Sequence, residues 1–566
     1  MKVVIVGGVA GGATAAARLR RLDEQAEIII FERSGYVSYA NCGLPYYIGG
    51  EITDREELTL QTPESFRRRF NIDVRVRHEV LSLDAAGKTV TVRELDTGRV
   101  FTESYDKLLL SPGAAPVVPD IPGADGPRVF TLRTVEDTFR IYDFIEREKP
   151  RRAVISGGGF IGLEMAENLM SRGLQVTMLQ RPRQVMSPLD PDMASLLHAR
   201  LRKAGVDLRL GCSASALEET DRGVRVLLEG HEPLEADMVL LAVGVRPDGR
   251  LAREAGLAVN SRGAIVVSDR METSAPDVYA VGDAVEITHF VTGKRASIAL
   301  AGPANKQGRI AADNMAGIPS RYTGAQGSSV LKLLDMTVAV TGLNEKSIQA
   351  EGIPHDSVVL TSSSHAAYYP GARSMVVKVL FEVPSGRILG AQIVGYGGVD
   401  KRIDVLATAI RARMTAFDLT ELDLSYAPPY SSAKDPVNMA GYAMENILTG
   451  KVRQFHWNDV ASLPRDGSVV LLDTRTQGEW DRGHIDFATH IPVDELRQRL
   501  GELPKDKPLY VYCQSGLRSY IACRMLTGYG YECYNLSGGY GFYSSVTKDL
   551  CPPPQGTGPC GLSKEH

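Results

Sequence analysis

An apolar run at residues 3–6 leads into the glycine-rich stretch GGVAGG at 7–12, a helical alternation through 13–22, and a second apolar strand, Glu27–Glu32. Strand, turn, helix and strand in that order read as a βαβ unit. The pattern recurs once. Residues 153–156 form a strand, GGGFIG at 157–162 the turn, a helix follows, and Gln175–Gln180 is the next strand. The duplication predicts two nucleotide-binding domains. No shorter repeat of the solenoid kind accompanies it.

Between the two units lies SPGAAPVVPDIPG at 111–123, a Pro/Gly-rich crossing. AVGVRP (242–247) and TSAPDVYAVGDAVE (273–286) read as a return into the first domain. From about residue 326 longer alternating strands such as SMVVKVLFEV appear, with helices after Asp400, as in an α+β domain. NILTGKVRQFHW (446–457) opens one more βα unit. The Pro/Gly-rich tail 551–566 is expected to be disordered.

The chain has 566 residues, 43% hydrophobic and 23% charged, with a net charge of −4. That is a globular balance with room for several cores, and it offers no global basic field to attract nucleic acid or anionic membrane. Met1 runs straight into KVVIVGG, too short for a membrane span and without a cleavage pattern, so a cytoplasmic protein is expected. Seven cysteines in this length are no disulfide framework; they suit free thiols in a reducing compartment. No metal site is expected, since the C-x8-C of Cys551 and Cys560 is not a metal spacing.

In the first turn Gly7 allows the tight bend, Gly12 allows close helix–strand packing, and Glu32 is placed to bind a ribose. Val9 replaces the middle glycine of G-x-G-x-x-G. The second turn matches fully through Gly157, Gly159 and Gly162, with Phe160 and Ile161 between. Its following strand ends on Gln180 and Arg181, with Arg183 beyond. A carboxylate there would favour NAD, whereas Arg181 or Arg183 could meet the 2′-phosphate of NADP; the choice stays open.

With Asp283 in VYAVGDA, these turns resemble the two-dinucleotide-binding flavoprotein disulfide reductases over about residues 1–450. The resemblance implies FAD at Gly7, Gly8, Ala10, Gly12, Glu32, Arg33 and Asp283, and NAD(P)H at the second turn. It also implies a C-terminal dimerisation domain and a homodimer.

Cys42 lies in SYANCGLPYYIGG (38–50), at an expected helix start, where the helix end favours the thiolate that acts as nucleophile. Two-thiol reductases carry C-x4-C, and the matching position here is Tyr47. Cys42 must therefore pair with a small thiol or cycle through a sulfenic acid. SYANCGLP is similar to coenzyme A disulfide reductases, whose single cysteine holds CoA as a mixed disulfide. The rival peroxidase and oxidase branch carries a histidine where this chain has Ala10. The resemblance implies CoA contacts at Thr14, Arg18, Arg21, Ser38, Asn41, Asn305, Arg309 and Lys434. It further implies Tyr368 and Tyr426 as tyrosines that reach the partner's active site, with Tyr369 and Tyr430 packing at the interface. Arg67, Arg68 and Arg69 read as solvent-facing.

LLDTRTQGEWDRGHI and VYCQSGLRS resemble a rhodanese domain over residues 455–550. In the loop CQSGLR (513–518) the backbone N–H groups surround Cys513, Arg518 adds positive charge, and Asp473 and Arg475 organise the loop. Cys212, Cys523 and Cys533 have no matching partners, and Cys523 suits a helix core.

Together the chain is similar to the coenzyme A disulfide reductase–rhodanese fusions, also described as persulfide reductases. The fold implied is α/β: an FAD domain at 1–110 and 245–325, an NAD(P)H domain at 111–244, an α+β dimerisation domain at 326–450, and the rhodanese domain. The implied activity is NAD(P)H- and FAD-dependent reduction of CoA persulfide, polysulfide or CoA disulfide, with Cys513 carrying sulfane sulfur. The alternatives are a flavin-dependent NADH peroxidase or oxidase, and a non-enzymatic persulfide carrier or redox sensor.

Overall fold

A computed structural model describes residues 1–550; the expectation for the tail, with Cys551 and Cys560, lies outside them. The chain divides into two compact units.

The first unit comprises Met1–Met186 and Ala204–Gly327. It holds two five-stranded parallel sheets. One runs in the order Val278–Ala280, Lys107–Leu110, Lys2–Val6, Glu27–Glu32, Asp73–Val76. The other runs Asp207–Leu210, Gln175–Gln180, Arg152–Ser156, Met238–Leu241, Val129–Phe130. Val3, Val4 and Ile5 are fully buried, as parallel strands covered on both faces require.

Each glycine turn is forced by its backbone. Gly7 and Gly157 have φ of +94° and +112°, which side chains disfavour. A Cβ on Gly12 would stand 1.9 Å from the Gly7 carbonyl oxygen, and one on Gly162 equally 1.9 Å from that of Gly157. The two motifs are geometric copies. The first helix is Ala10–Leu22, beginning three residues before the expected 13, because Gly11 and Gly12 are already helical. The missing Cβ is what lets the helix start so close to the strand.

The second unit comprises Ser187–Lys203 and residues from Ser328 onward. An antiparallel sheet runs Ser329–Leu333, Met336–Gly342, Ile388–Gly395, Ser374–Glu382, His355–Ser363, backed by helices Val399–Arg411 and Pro436–Leu448. A five-stranded parallel sheet follows: Arg453–Phe455, Cys533–Leu536, Leu509–Tyr512, Val470–Asp473, Thr489–His490. Its edge is tied to the antiparallel sheet. Gln454 donates to Asp356 and the Ser357 carbonyl, His456 hydrogen-bonds Asp356 at 2.9 Å, and the Val359 N–H donates to Ser537.

Residues 187–203 lie in sequence within the stretch expected to bind NAD(P)H, yet they pack with this second unit. Lys378, 1% exposed, explains why: its Nζ reaches Asp192 at 2.7 Å, Glu345 at 2.9 Å and Asp190 at 3.1 Å. His198, on helix Pro191–Lys203, is fully buried against Asp549 at 2.6 Å, and Arg202 pairs with the same carboxylate. No helix among the described residues is long and apolar enough to cross a membrane.

Candidate active site

In the first nucleotide cradle, Glu32 is buried and its carboxylate accepts the N–H groups of Gly8 and Ser34, each at 2.9 Å. This fixes the acid at the mouth of the turn, where the open N-terminus of helix Ala10–Leu22 begins. Ala10 starts that helix and brings no proton-transfer group. Arg33 is exposed, 3.4 Å from Asp248. Asp283 sits in the turn Gly282–Ala284, held by the Gly282 N–H donating to Gln307 at 2.7 Å. Burial pushes the Asp283 carboxyl up, against the pull of Arg133. A buried acid, a bare helix end and a second acid turn fit a dinucleotide with a sugar to bind.

The second cradle repeats the arrangement with an amide. The Gly158 N–H donates to Gln180 Oε1 at 2.8 Å, as Gly8 does to Glu32, and Gln180 Nε2 donates to the Gln184 carbonyl at 2.9 Å. Gly159 caps helix Phe160–Ser171, and a Cβ on it would meet open space. Phe160 and Ile161 are half-buried at the helix start, and Gly162 is buried. Arg181 and Arg183 are exposed, and neither forms an ion pair among the described residues.

Cys42 belongs to the turn Asn41–Gly43, which runs into helix Leu44–Gly49. That helix packs on Phe160–Ser171: a Cβ on Gly49 would stand 1.9 Å from Asn168 Oδ1, and Ser171 donates to the Gly49 carbonyl. The thiol is exposed and free. Tyr47, in place of a second cysteine, is buried among Phe139 and Tyr142 and accepts from Arg55. Ser38 adopts φ +48°, held by its N–H donating to the Gly8 carbonyl at 2.8 Å. This left-handed residue lies four positions before Cys42.

The thiolate-favouring environment expected at Cys42 is not what surrounds it. The surrounding protein desolvates Cys42 and, with Glu164 and Asp283, pushes its thiol up. A single turn and a six-residue helix supply too little dipole to offset burial together with two carboxylates. Glu164 escaped the sequence analysis. It lies on the helix after the second glycine turn, and burial, with Glu167 adding to it, pushes its carboxyl up to about 7. Its only sequence signal was an acid on a mostly apolar helix.

Several expected CoA contacts come together. Helices Ala10–Leu22 and Ala301–Met315 approach closely, a Cβ on Gly308 falling 2.4 Å from the Gly11 carbonyl oxygen. Across this seam Thr14 donates to Asn305 at 2.7 Å and Arg18 to Asp313 at 2.8 Å. Arg21, Asn41 and Arg309 are exposed and Ser38 is half-buried. In the second unit Lys434 is exposed, and the Tyr368 and Tyr426 hydroxyls lie 3.0 Å apart. Tyr368 is 75% and Tyr430 74% exposed, and Tyr369 and Tyr426 are exposed as well.

Cys513 ends strand Leu509–Tyr512 and is fully buried. Its sulfur accepts the Gly516 N–H at 3.2 Å and the Ser519 hydroxyl at 3.3 Å. Asp473 and Arg475 form a buried pair below, 2.7 Å apart, and Arg475 stacks over Tyr540 at 4.0 Å. The Tyr540 N–H donates to the Cys513 carbonyl at 2.7 Å, anchoring the loop. Arg518 donates through both terminal nitrogens to Glu479. Ser519 and Glu479 were not singled out from sequence. Glu479 could have been found as the capping box Thr476-x-x-Glu479.

The chain matches the family profile "Pyridine nucleotide-disulphide oxidoreductase" over residues 1–308, that family's dimerisation domain over 329–436, and the rhodanese-like domain over 457–544. It belongs to the pyridine nucleotide-disulphide oxidoreductases. Within that family it is 36% identical to the coenzyme A disulfide reductase of Staphylococcus haemolyticus, over 79% of this chain and 100% of the relative. The reduced Bacillus anthracis CoADR-RHD structure shares 49% identity at a TM-score of 0.94, covering 97% of this chain and 98% of that one. A NAD-dependent persulfide reductase from A. fulgidus shares 37% identity at a TM-score of 0.90, covering 96% and 100%. The likeness to these two structures extends over the oxidoreductase, dimerisation and rhodanese-like segments alike.

Proposed function

We propose that this chain is a flavoprotein NAD(P)H:CoA-disulfide/persulfide oxidoreductase with a sulfur-carrying rhodanese domain, working as a cytoplasmic homodimer. The observation that carries the reading is one exposed thiol, Cys42, set between two nucleotide cradles with buried Tyr47 where a second thiol would stand. The substrate's own sulfur must then complete the disulfide. FAD held by Gly7, Gly8, Ala10, Gly12, Glu32, Arg33 and Asp283 supplies, when bound, a two-electron path from NAD(P)H to that disulfide.

The Cys42 thiolate attacks the CoA-bound sulfur of a CoA persulfide. The Cys42–S–S–CoA bond forms, the persulfide S–S bond breaks, and hydrosulfide leaves. Two electrons and a proton then return the mixed disulfide to Cys42 thiolate and free CoA thiol. A CoA disulfide enters by the same attack, with CoA thiolate leaving. Thr14, Arg18, Arg21, Ser38, Asn41, Asn305, Arg309 and Lys434 are assigned to CoA. Tyr368 and Tyr426 are assigned to hydrogen-bond the departing thiolate in the partner's site, consistent with their exposed, mutually bonded hydroxyls. Gly157, Gly159, Phe160, Ile161, Gly162, Gln180 and Arg181 are assigned to NAD(P)H. Cys513, with Asp473, Arg475 and Arg518, delivers or accepts the outer sulfur. A peroxidase reading is disfavoured by Ala10, which offers no proton-transfer group at the cradle.

The test is complementation. Cys42→Ser homodimers are expected to keep FAD but lose CoA-persulfide and CoA-disulfide reduction, and Tyr426→Phe homodimers to be slowed. Mixing the two chains should restore activity in heterodimers. Substantial turnover by Cys42→Ser alone, or verified heterodimers without rescue, would contradict the reading.

A further inference from the structure

The charge around Cys513 selects among sulfur donors. The loop 513–518 contains one cation, Arg518. It lies against Cys513, but both its terminal nitrogens donate to Glu479 at 2.7 Å. Glu479 is itself fixed from behind by the Thr476 N–H and hydroxyl, each at 2.9 Å. The Arg518 hydrogen bonds hold its carboxyl down at about 2, so it stays ionised across any working pH.

The neighbouring pair Asp473–Arg475 is buried, Arg475 giving its other N–H groups to the Gly483 and Glu479 carbonyls and, at 3.5 Å, to Gln514 Oε1. The sulfur accepts the Gly516 N–H and the Ser519 hydroxyl, and Arg518, the charged group against it, is shared with Glu479. The exposed loop side chains, Gln514 and Leu517, are uncharged. Both arginines of the pocket are thus matched one to one by carboxylates. The helix Leu517–Gly528 terminus and an Arg518 whose charge Glu479 already balances are left to support a single thiolate.

We propose that Cys513 loads from persulfides and polysulfides and discriminates against thiosulfate and other sulfur oxyanions, with Glu479 as the residue that sets this specificity. The inference rests on the carrier role assigned to Cys513 above. With a persulfide R–S–SH, the Cys513 thiolate bonds to the outer sulfur, the S–S bond breaks, and RS⁻ leaves with the electron pair. With thiosulfate the same attack expels sulfite, and thiolate and dianion together bring three negative charges into a pocket whose cations are already neutralised. The charged phosphates of a CoA persulfide lie at the far end of a long arm, away from the reacting sulfur.

The test uses the full-length, FAD-loaded protein with thiosulfate, inorganic polysulfide or CoA persulfide at equal concentration, following the gain of one sulfur on the Cys513 peptide by mass spectrometry. The wild type is expected to load from CoA persulfide at least about ten-fold faster than from thiosulfate. Glu479→Gln should raise the thiosulfate-to-persulfide rate ratio by at least about ten-fold. Gln514→Arg, at an exposed position, should raise it in the same direction. Equal wild-type rates, or a ratio unmoved in both variants, would overturn the inference. If no donor loads Cys513 in the wild type, the carrier reading itself falls.

Discussion

Glu164 and Cys42 are coupled through space. Burial raises the Cys42 thiol and the Glu164 carboxyl adds to it, while burial raises that carboxyl to about 7, from an ordinary value near 4.5. A carboxyl raised on folding supports the fold while it is protonated, and that contribution is lost as pH climbs from about 4.5 through about 7. Glu164→Gln removes both effects. The alkylation of Cys42 by iodoacetamide should then show its pH midpoint shifted downward relative to wild type. The loss of thermal stability between pH 5 and pH 8 should become shallower as well. An unmoved or higher midpoint would show that Glu164 does not govern the thiol. Nothing in the local sequence announces this pair, since it exists only where helix Leu44–Gly49 crosses helix Phe160–Ser171.

At the scale of elements, what the sequence showed and what it hid divide by contact range. Both glycine turns were legible because each is one contiguous βαβ unit whose backbone demands glycine at fixed offsets, as Gly7 with Gly12 and Gly157 with Gly162 show. The Cys513 loop was legible for the same reason, strand, loop and helix following in order. The placement of Ser187–Lys203 was not, because it depends on Lys378, far along the chain, meeting Asp190, Asp192 and Glu345. Burial alone would lower Lys378; the three carboxylates outweigh it and raise it. Lys378→Met should therefore leave uncompensated buried carboxylates and cost about 3–5 kcal/mol at neutral pH. The deficit should shrink as the carboxylates protonate in acid. Urea denaturation at pH 7 and pH 5 measures both, and equal stability of mutant and wild type at pH 7 would contradict the tie.

For the whole molecule, the proposed chemistry rests on one thiol: with Tyr47 where a second cysteine would stand, Cys42 needs the substrate's own sulfur to complete a disulfide. Tyr47, packed among Phe139 and Tyr142, cannot substitute for that thiol. The most direct measurement is peptide mass spectrometry after exposing the oxidised, FAD-loaded protein to CoA disulfide. The account predicts a CoA adduct on the peptide containing Cys42, absent in Cys42→Ser and released as CoA thiol on adding NADH or NADPH. A Cys42 found only as a sulfenic acid, or a CoA adduct confined to another cysteine, would contradict it.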